Sequence, residues 1–390
     1  MADACIVGWG HTRFGRRDDL DLEGLIVEAT RAAIADAAID PADIDAIYLG
    51  HFNGGLIPDS FVSSLVMQAD DKLRFKRVTR LENACASGAA AVFQGLNEIA
   101  AGKARIVLVV GAEKMTSNSG KRVTEVLASA SYVKEESSRG ITFPGLFAGF
   151  TNDYCQRFGS HHLSTLARIA AKNHANGTRN PIAHIRRDLG FDFCNTVGPD
   201  NPIIAAPLRK TDCSTVADGA AALILADADT ARACAKRVGF RACAQVNDFL
   251  PIAKRDPIAF EGPRLAWAKA LAAAKIAVTD LSLAEVHDCF TIAELLTYEA
   301  MGLAETGHGS TVIDEGISAI GGRLPINPSG GLKAKGHPIG ATGVSMHVMA
   351  AMQLVGEAGE FQVPGAQLAA VFNMGGSAVA NYVSILDSRW

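Results

Sequence analysis

Short apolar runs alternate with helix-like stretches through the first third of the chain, and this alternation constrains the fold more than any other feature. Residues 4–7, 45–49 and 106–110 have the composition of strands. Residues 22–38 carry apolar side chains at helical spacing, and residues 83–101 form a second helix-like stretch rich in small side chains. Strands separated by helices of this length predict βαβ units and a mostly parallel sheet in an α/β fold.

The last third of the chain repeats this order of elements. A strand ends near residue 287, a glycine-punctuated helix lies at 336–354, and two strands with a glycine turn between them lie within 369–386. We therefore predict an internal duplication, with an N-terminal half at residues 1–230 and a C-terminal half at residues 231–390.

An irregular segment at about 115–210 interrupts the first half. Glycine, serine, asparagine, proline and histidine concentrate there, and one clear helix is predicted near residues 164–175. We interpret this segment as an inserted loop domain. Long irregular insertions in α/β proteins usually carry binding function, so substrate specificity is expected to depend on it.

Composition excludes several classes of protein. With 48% hydrophobic and 20% charged residues, the 390-residue chain has ample apolar material for a large core, which excludes a disordered chain and a coiled coil. The net charge of −4 provides no global positive field for nucleic acid or an anionic membrane. Five cations at residues 72–80 favour a solvated surface segment, with contact to an anionic ligand or a partner subunit as the alternative.

Cysteine spacing and the chain termini bear on the cellular compartment. The eight cysteines form no CxxC pair and no disulfide-like spacing, which indicates a reducing compartment. We recognise no signal peptide, no peroxisomal C-terminus and no apolar segment near the roughly eighteen residues that a membrane span needs. These features predict a cytoplasmic protein without a membrane span.

The stretch at residues 82–91 contains the first candidate for chemistry. Cys85 is expected where a loop becomes a helix, among alanine, serine and glycine. Unpaired backbone N–H groups and the helix dipole at such a position favour the thiolate, and small neighbours let a bulky substrate reach the sulfur. The pattern indicates a nucleophile, with a buried structural cysteine in an alanine-rich helix as the alternative.

Glycines and prolines at residues 327–343 prescribe a second loop that leads into a helix. His337 lies there between glycine and proline, where it is suited to act as a base or a hydrogen-bond donor; a histidine packed structurally in a turn is the alternative. A phosphate-binding loop is rejected because the GxxxxGK[ST] pattern is absent and Lys333 and Lys335 are misplaced for it.

Two further stretches complete the set. His287-Asp288-Cys289-Phe290 follows a strand, and strand ends are where open α/β sheets place their sites, although a structural core cluster is equally compatible. Residues 373–377 form a glycine turn whose backbone N–H groups could donate hydrogen bonds to a reacting oxygen.

Metal binding is not expected because the cysteines and the histidines at 161–162 lack tetrahedral-site spacing. NAD is not expected because the glycines at 8–10 do not complete a dinucleotide fingerprint.

Together these four stretches resemble the thiolase superfamily, and the likeness runs over essentially the whole chain. Cys-Ala-Ser at 85–87 is similar to the nucleophile motif of the family, and Gly-His-Pro-Ile-Gly-Ala-Thr-Gly at 336–343 is similar to its histidine motif. Val-Ala-Asp-Gly-Ala-Ala-Ala at 216–222 also resembles the family. The resemblance implies a five-layered αβαβα fold of two similar halves, with the loop domain inserted in the first.

Two departures from the motifs of biosynthetic thiolases indicate which subfamily the chain resembles. Biosynthetic thiolases have Asn-Glu-Ala-Phe where this chain has residues 287–290, and a second catalytic cysteine in a Cys-x-Gly turn where this chain has Asn373-Met374-Gly375. The combination resembles the sterol-carrier-protein-2 type of thiolase, in which the cysteine of His-Asp-Cys-Phe supplies the missing thiol. We expect no appended lipid-carrier domain, because the chain ends a few residues after the last predicted strand.

The resemblance also implies roles for individual residues. Cys85, activated by His337, would form the acyl-enzyme in the thiolytic cleavage of a 3-ketoacyl-CoA or in the reverse Claisen condensation. Cys289 would transfer the proton at the substrate α-carbon, because a thiol pKa of about 8.5 lies near neutral and can be tuned lower. His287 and His337 would bind the enolate oxygen, and the backbone N–H groups of Cys85 and Gly375 the tetrahedral oxyanion.

The sequence also suggests ligands, substrate-binding residues and partners. Coenzyme A and acyl-CoA are the expected ligands, and no other cofactor is implied. Met115 and Phe147 are candidate pocket walls, with ordinary core packing as the alternative, and Ser329 and Gly330 are further candidates for substrate binding. The resemblance implies a homodimer or tetramer, and some thiolase-like chains need a small partner with an OB-fold and a zinc ribbon.

Two competing interpretations remain open at this point. Cys85, His287 and His337 also resemble the set of a decarboxylating ketoacyl synthase, which uses a malonyl-type extender and needs no second thiol. A binding or scaffold subunit without catalysis is the other alternative, but loss of activity usually appears as a missing nucleophile, and Cys85 is present.

Overall fold

Eleven strands and twelve α-helices occupy residues 4–389, the part of the chain that the computed structural model describes. The elements that precede the insertion are β1 (Ala4–His11), α1 (Leu22–Ala37), β2 (Ala46–Gly50), β3 (Arg77–Leu81), α2 (Ser87–Ala100) and β4 (Ile106–Glu113). The insertion contains α3 (Gly120–Ala128), α4 (Phe143–Phe158), α5 (His162–Thr178), α6 (Gly190–Asn195), β5 (Ile203–Ala205) and β6 (Leu208–Arg209).

The remaining elements begin with the strand that returns the chain to the main sheet. They are β7 (Gly219–Asp227), α7 (Ala228–Ala231), β8 (Val238–Asn247), α8 (Glu261–Ala274), β9 (Leu283–Val286), α9 (Thr291–Ala300), α10 (Ser310–Asp314), α11 (Gly331–Lys335), α12 (Ile339–Val355), β10 (Leu368–Gly375) and β11 (Ala380–Asp387). Among the described residues, no helix has the length and apolar character needed to cross a membrane.

Nine of the strands form one mixed sheet in the order β3-β2-β4-β7-β1-β8-β11-β10-β9. Within the described strands of this sheet, β2 is parallel to β3 and β4, β9 is parallel to β10, and the other neighbours are antiparallel. The prediction of a mostly parallel sheet is therefore wrong. The physical reason is that β10 and β11 are joined by a tight turn, which can only connect antiparallel strands, and β7 runs against both β1 and β4.

Two central helices, α2 and α12, pack against each other and against the sheet, while α1 packs against β1 and β7 and α8 packs against β8 and β11. Nearly every residue of α12 is buried, which explains why its sequence is apolar or small all round. The two helices approach closely because of glycine: a Cβ at Gly343 would lie 2.2 Å from the Ala89 nitrogen, and one at Gly88 would lie 2.8 Å from the Gly340 oxygen. This contact brings the starts of both helices together.

The insertion contains more helix than the sequence indicates. The predicted helix near residues 164–175 is present as the longer α5, but residues 143–158, which contain two glycines and a proline, also form a helix. Thr142 caps this helix by accepting a hydrogen bond from the Gly145 N–H at 3.1 Å, and Pro144 occupies its first turn, where no N–H is needed. The insertion thus places rigid helices against the site.

Candidate active site

Four loops from distant parts of the chain meet at the floor of one cavity. They supply Cys85 from the turn before α2, His287 and Cys289 from the turn after β9, and His337 from the turn before α12; the fourth is the glycine turn after β10. The Cys85 sulfur and one nitrogen from each histidine ring lie within 4.8 Å of one another. The two histidine rings stand edge to face, with their centroids 5.2 Å apart.

Glu113, the buried last residue of β4, connects two segments that lie next to the site: the loop after β2 and the first turn of α12. Its carboxylate accepts hydrogen bonds from the backbone N–H groups of Phe52 and Asn53, at 3.0 and 2.9 Å. It also accepts one at 3.0 Å from the N–H of Gly340, in the first turn of α12. A buried carboxylate with three such donors holds the histidine loop against the first half of the fold.

Cys85 lies two residues before α2 begins, in a turn that its neighbours stabilise. The Ser87 hydroxyl donates to the Ala84 carbonyl at 2.6 Å and accepts from the Asn83 N–H at 2.9 Å. Ala84 adopts a left-handed conformation with φ of 50°, which turns the chain sharply before the cysteine. The backbone N–H groups of Gly376 and of Cys85 itself face the sulfur.

The protonation state of Cys85 differs from the sequence expectation. Burial raises the pKa of its thiol to about 12, and the carboxylates of Glu113 and Glu82 act in the same direction, whereas the Gly376 N–H acts against it. A helix N-terminus alone was expected to favour the thiolate, and that expectation is wrong because desolvation outweighs the dipole. Cys85 therefore rests as a thiol and needs a base in the reaction.

His337 can act as that base. Its Nδ1 lies 2.7 Å from the Thr342 hydroxyl, and this hydroxyl donates its single proton to the Pro338 carbonyl at 2.9 Å. The Thr342 oxygen consequently accepts from Nδ1–H, which leaves the lone pair on Nε2. Burial, together with the nearby Lys335 ammonium, lowers the pKa of His337 to about 3, so the ring is neutral at physiological pH.

His287 is buried completely, and burial together with His337 lowers its pKa well below the usual value for histidine. Its Nδ1 lies 2.9 Å from the side-chain nitrogen of Asn373, and its Nε2 has no hydrogen-bond partner among the described residues. His287 does not itself line the cavity, but one nitrogen of its ring lies within 4.8 Å of the Cys85 sulfur and of a His337 nitrogen, and both of those residues line it. A buried polar atom without a protein partner so near a cavity is available to a ligand.

Cys289 has an exposed fraction of 2% and lines the same cavity as Cys85 and His337. Burial raises the pKa of its thiol, and the neighbouring Cys85 and Asp288 raise it further. A thiol pKa can be tuned lower by its surroundings, whereas at Cys289 the surroundings act in the opposite direction. Asp288 fixes this loop, because it accepts hydrogen bonds from the Leu332 N–H at 2.6 Å and from the Asn173 side chain at 2.8 Å.

These protonation states lead to a first prediction. We expect the rate at which iodoacetamide alkylates Cys85 to rise about tenfold per pH unit from about pH 7 to about pH 9, because only the thiolate reacts and its pKa is high. Peptide mass spectrometry at Cys85 measures the rate, with Cys85→Ala as the blank. A rate that is already constant across neutral pH would show a thiolate–imidazolium pair and contradict a resting thiol.

A cavity of about 1000 Å³ extends from this floor to the surface. Met115 lines it, as predicted, together with Val123, Leu127 and Phe143. Phe147 does not line it: the ring is fully buried and stacks on Phe290, with centroids 4.4 Å apart. The alternative of core packing is therefore the correct one for Phe147.

Ser329 and Gly330 also lie outside the cavity wall. The Ser329 hydroxyl donates to the buried Glu285 carboxylate at 2.6 Å, and its N–H donates to the same group at 3.1 Å. Gly330 packs against the loop-domain helix α5, where a Cβ would lie 2.7 Å from the Gly177 Cα. Both residues hold the loop in place, and neither lines the cavity.

Several polar residues of the cavity were not singled out by sequence reasoning. His174 on α5 has an exposed fraction of 1%, neither of its ring nitrogens has a partner among the described residues, and it lines the cavity. Lys333, which had been considered only for phosphate binding, lines the cavity beside Cys213 and donates to its carbonyl. A histidine on a helix carries no local signal of this kind, because its position depends on how α5 packs.

The cationic stretch at residues 72–80 lies at the edge of the sheet, as a surface segment. Lys72 pairs with Asp40 at 2.9 Å, and Arg80 donates to backbone carbonyls of residues 51 and 52. Neither side chain lines the cavity. Most of the charge in this stretch is thus engaged near the protein surface and not in the site.

Two family models cover nearly the whole chain. The model described as "Thiolase, N-terminal domain" matches residues 4–229, and "Thiolase C-terminal domain-like" matches residues 244–388. The acetyl-CoA acetyltransferase of Methanothermobacter thermautotrophicus is 37% identical over 390 residues, which span 99% of this chain and 100% of the relative. Human sterol carrier protein 2 is 32% identical over 396 residues, which span 96% of this chain and 70% of the relative.

Solved structures share the fold. The Ltp2-ChsH2(DUF35) aldolase superposes with a TM-score of 0.86 at 22% identity, over 99% of this chain and 98% of that chain. Human mitochondrial 3-ketoacyl-CoA thiolase in complex with CoA superposes with a TM-score of 0.74 at 17% identity, over 99% of this chain and 98% of that chain. The predicted thiolase-like α/β fold class is confirmed.

A buried thiol facing two neutral imidazoles, in a fold of this kind, defines a thiolase-like acyltransferase. The family models and the curated relatives make the assignment specific, since the two models together span most of the sequence and so does each relative. The chain belongs to the thiolase family and has the acyltransferase activity of that family.

Proposed function

We propose that this thiolase cleaves 3-ketoacyl-CoA with CoA, and joins two acyl-CoA molecules in reverse, through an acyl-enzyme on Cys85. The observation that carries the proposal is the approach of the Cys85 sulfur and the two histidine rings to within 4.8 Å, beside a second cavity thiol. The 37% identical acetyl-CoA acetyltransferase supports CoA thioesters as substrates. No cofactor other than these thioesters is included in the proposal.

In the cleavage direction, the Cys85 sulfur attacks the C3 carbonyl while its proton moves to Nε2 of His337. The tetrahedral oxyanion accepts hydrogen bonds from the backbone N–H groups of Cys85 and of Gly375, the last residue of β10. The C2–C3 bond then breaks, which leaves the acyl group on Cys85 and an enolate whose oxygen accepts from His287 and His337. Cys289 gives its proton to C2, and acetyl-CoA leaves.

The second half of the cycle restores both thiols. The thiolate of Cys289 takes the proton of an incoming CoA, whose sulfur attacks the thioester on Cys85. The shortened acyl-CoA forms, and the released Cys85 sulfur recovers the proton held by His337. High pKa values suit both cysteines for these roles, because each thiol stays protonated until a substrate group receives or replaces its proton.

The proposed function predicts a covalent intermediate. Mixing the chain with acetoacetyl-CoA, in the absence of free CoA, should leave an acetyl group on Cys85 that intact-mass and peptide mass spectrometry detect. Longer 3-ketoacyl-CoAs, tested in the same way, report the preferred chain length. Prior treatment with EDTA should change nothing, which separates a catalytic role of Cys85, His287 and His337 from metal binding by the same atoms. An unmodified Cys85 with every substrate would contradict the proposal.

Partners and location form part of the same proposal. We propose a homodimer formed through β3, the strand at the sheet edge, where Phe75 next to it has an exposed fraction of 85%. We also propose a small partner protein with an OB-fold and a zinc ribbon, as the resemblance implies, and the likeness to the Ltp2-ChsH2(DUF35) aldolase supports a partner of the DUF35 type. We propose a cytoplasmic location, which fits two catalytic thiols that must stay reduced, and a role in lipid metabolism, which fits acyl-CoA substrates.

A further inference from the structure

Asn373 occupies the position at which the resemblance places the second catalytic cysteine of biosynthetic thiolases. It lies near the end of β10, opposite Tyr382 of β11, and is completely buried. An amide neither gives nor takes a proton near neutral pH, so the residue cannot perform the acid–base role of a cysteine. Its contacts point to a different role.

Two hydrogen bonds fix the orientation of the Asn373 amide. Its side-chain nitrogen lies 3.1 Å from the backbone oxygen of Cys85 and 2.9 Å from Nδ1 of His287. A backbone oxygen only accepts, so the group that faces it must be NH₂ and not the amide oxygen. The second proton of this NH₂ therefore points to Nδ1 of His287.

This orientation determines where the proton of His287 lies. The ring is neutral because burial and His337 lower its pKa, and a neutral imidazole carries one N–H. Since Nδ1 accepts from Asn373, the N–H must be at Nε2, the atom without a partner among the described residues. The opposite tautomer would direct Nδ1–H against the amide NH₂.

We propose that Asn373 is a positioning residue that holds His287 as its Nε2–H tautomer, so that His287 donates to the enolate oxygen. The inference deepens the proposed function and rests on it. Through the same amide, Asn373 links His287 to the backbone of the nucleophile Cys85. This link holds the residue that carries the acyl group and the residue that binds the enolate oxygen in a fixed relative position. The residue acts through His287 and touches no reacting atom.

Packing behind the amide restricts its rotation. The Asn373 oxygen faces Gly343 of α12, where a Cβ would lie 2.5 Å from it. The amide is thus enclosed by α12 on one side and by Cys85 and His287 on the other. A buried amide held in this way loses little entropy on binding substrate, since its geometry is set before the substrate arrives.

Asn373→Asp tests the proposal, because it keeps the size of the side chain and reverses the hydrogen bond. A carboxylate accepts from Nδ1–H and therefore selects the other tautomer, which leaves a lone pair on Nε2 facing the enolate oxygen. We expect exchange of the acetyl-CoA α-protons with solvent deuterium, and kcat of condensation, to fall by about 10²–10³-fold, the usual loss of one oxyanion donor. Acetylation of Cys85 by acetyl-CoA and KM should change far less.

NMR of the protein labelled with ¹⁵N-histidine reads the tautomer without relying on activity. The wild-type signal of His287, assigned by its loss in His287→Gln, should show a protonated Nε2 and an unprotonated Nδ1, and Asn373→Asp should exchange the two. Asn381→Asp is the control, because that buried amide donates only to backbone carbonyls and should leave His287 unchanged.

Two results would overturn the inference: a proton on Nδ1 of His287 in the wild-type protein, or undiminished α-proton exchange in a folded Asn373→Asp variant. Asn373→Ala, which removes both hydrogen bonds without adding charge, covers the case in which the aspartate variant does not fold; its His287 should populate both tautomers. A wild-type protein that is never acetylated would instead contradict the thiolase chemistry, while the NMR result would still stand.

Discussion

Cys85→Ala is expected to lower kcat for thiolysis of acetoacetyl-CoA by about 10⁶-fold, the size of loss found when the nucleophile of an acyl-transfer enzyme is removed. The reason is that no other described group of the floor replaces the sulfur: His287 and His337 are neutral imidazoles turned toward it, and Cys289 faces the α-carbon in the proposed mechanism. Steady-state thiolysis, followed by the loss of the 3-ketoacyl thioester, measures the effect.

Cys243→Ala is the matched control for this variant. Cys243 lies on β8, far along the chain from the site loops, and its thiol contacts the Ser384 hydroxyl at 3.8 Å outside the cavity. We expect its kcat to remain within about twofold of the wild-type value. Substantial turnover by Cys85→Ala would show that the acyl group is carried by another residue, and would contradict the assignment of Cys85 as the nucleophile.

Cys289→Ala is expected to separate the two halves of the reaction. General acid–base catalysis contributes about 10²–10⁴-fold, so α-proton exchange of acetyl-CoA and condensation should fall by that factor. Acetylation of Cys85 should persist, since Cys85, His337 and the backbone N–H groups remain. Deuterium incorporation into acetyl-CoA and intact-mass analysis of the protein measure the two steps on one sample.

Cys155→Ala provides the control here, because this half-buried thiol on α4 does not line the cavity. Normal condensation from acetyl-CoA by Cys289→Ala would remove Cys289 from the mechanism. Condensation that depended on a malonyl thioester, in the wild type and in Cys289→Ala alike, would instead favour the decarboxylating ketoacyl synthase, in which Cys85, His287 and His337 suffice.

The resemblance of four short motifs to the thiolase superfamily implied the fold class, and the residue patterns within the same motifs singled out Cys85, His287, Cys289 and His337. Each of these residues follows or precedes a regular element that local patterns identify. The structure brings Cys85, Cys289 and His337 to one cavity and places His287 directly beside Cys85 and His337. The prediction of a mostly parallel sheet was wrong. The apolar sequence of β7 indicates a strand, but whether that strand pairs parallel or antiparallel depends on its neighbours in the sheet.

The residues that line the substrate cavity were predicted less reliably from the sequence. Met115 lines the cavity and Phe147 does not, although both are apolar residues of the insertion. Which face of α4 turns to the cavity depends on how this helix packs against Phe290 and its neighbours. His174 was not singled out for the same reason, because its significance comes from the position of α5 beside the cavity.

Local sequence determined which residues carry sulfur and imidazole, and at which turns they lie, because caps, glycines and strand ends act over a few residues. Tertiary structure alone decided the protonation states: burial raises the pKa of the Cys85 thiol to about 12 and lowers that of His337 to about 3. It also decided the orientation of the His287 ring through Asn373, a residue 86 positions away. Desolvation and hydrogen-bond partners depend on what surrounds a group in space, and that environment is assembled from both halves of the chain.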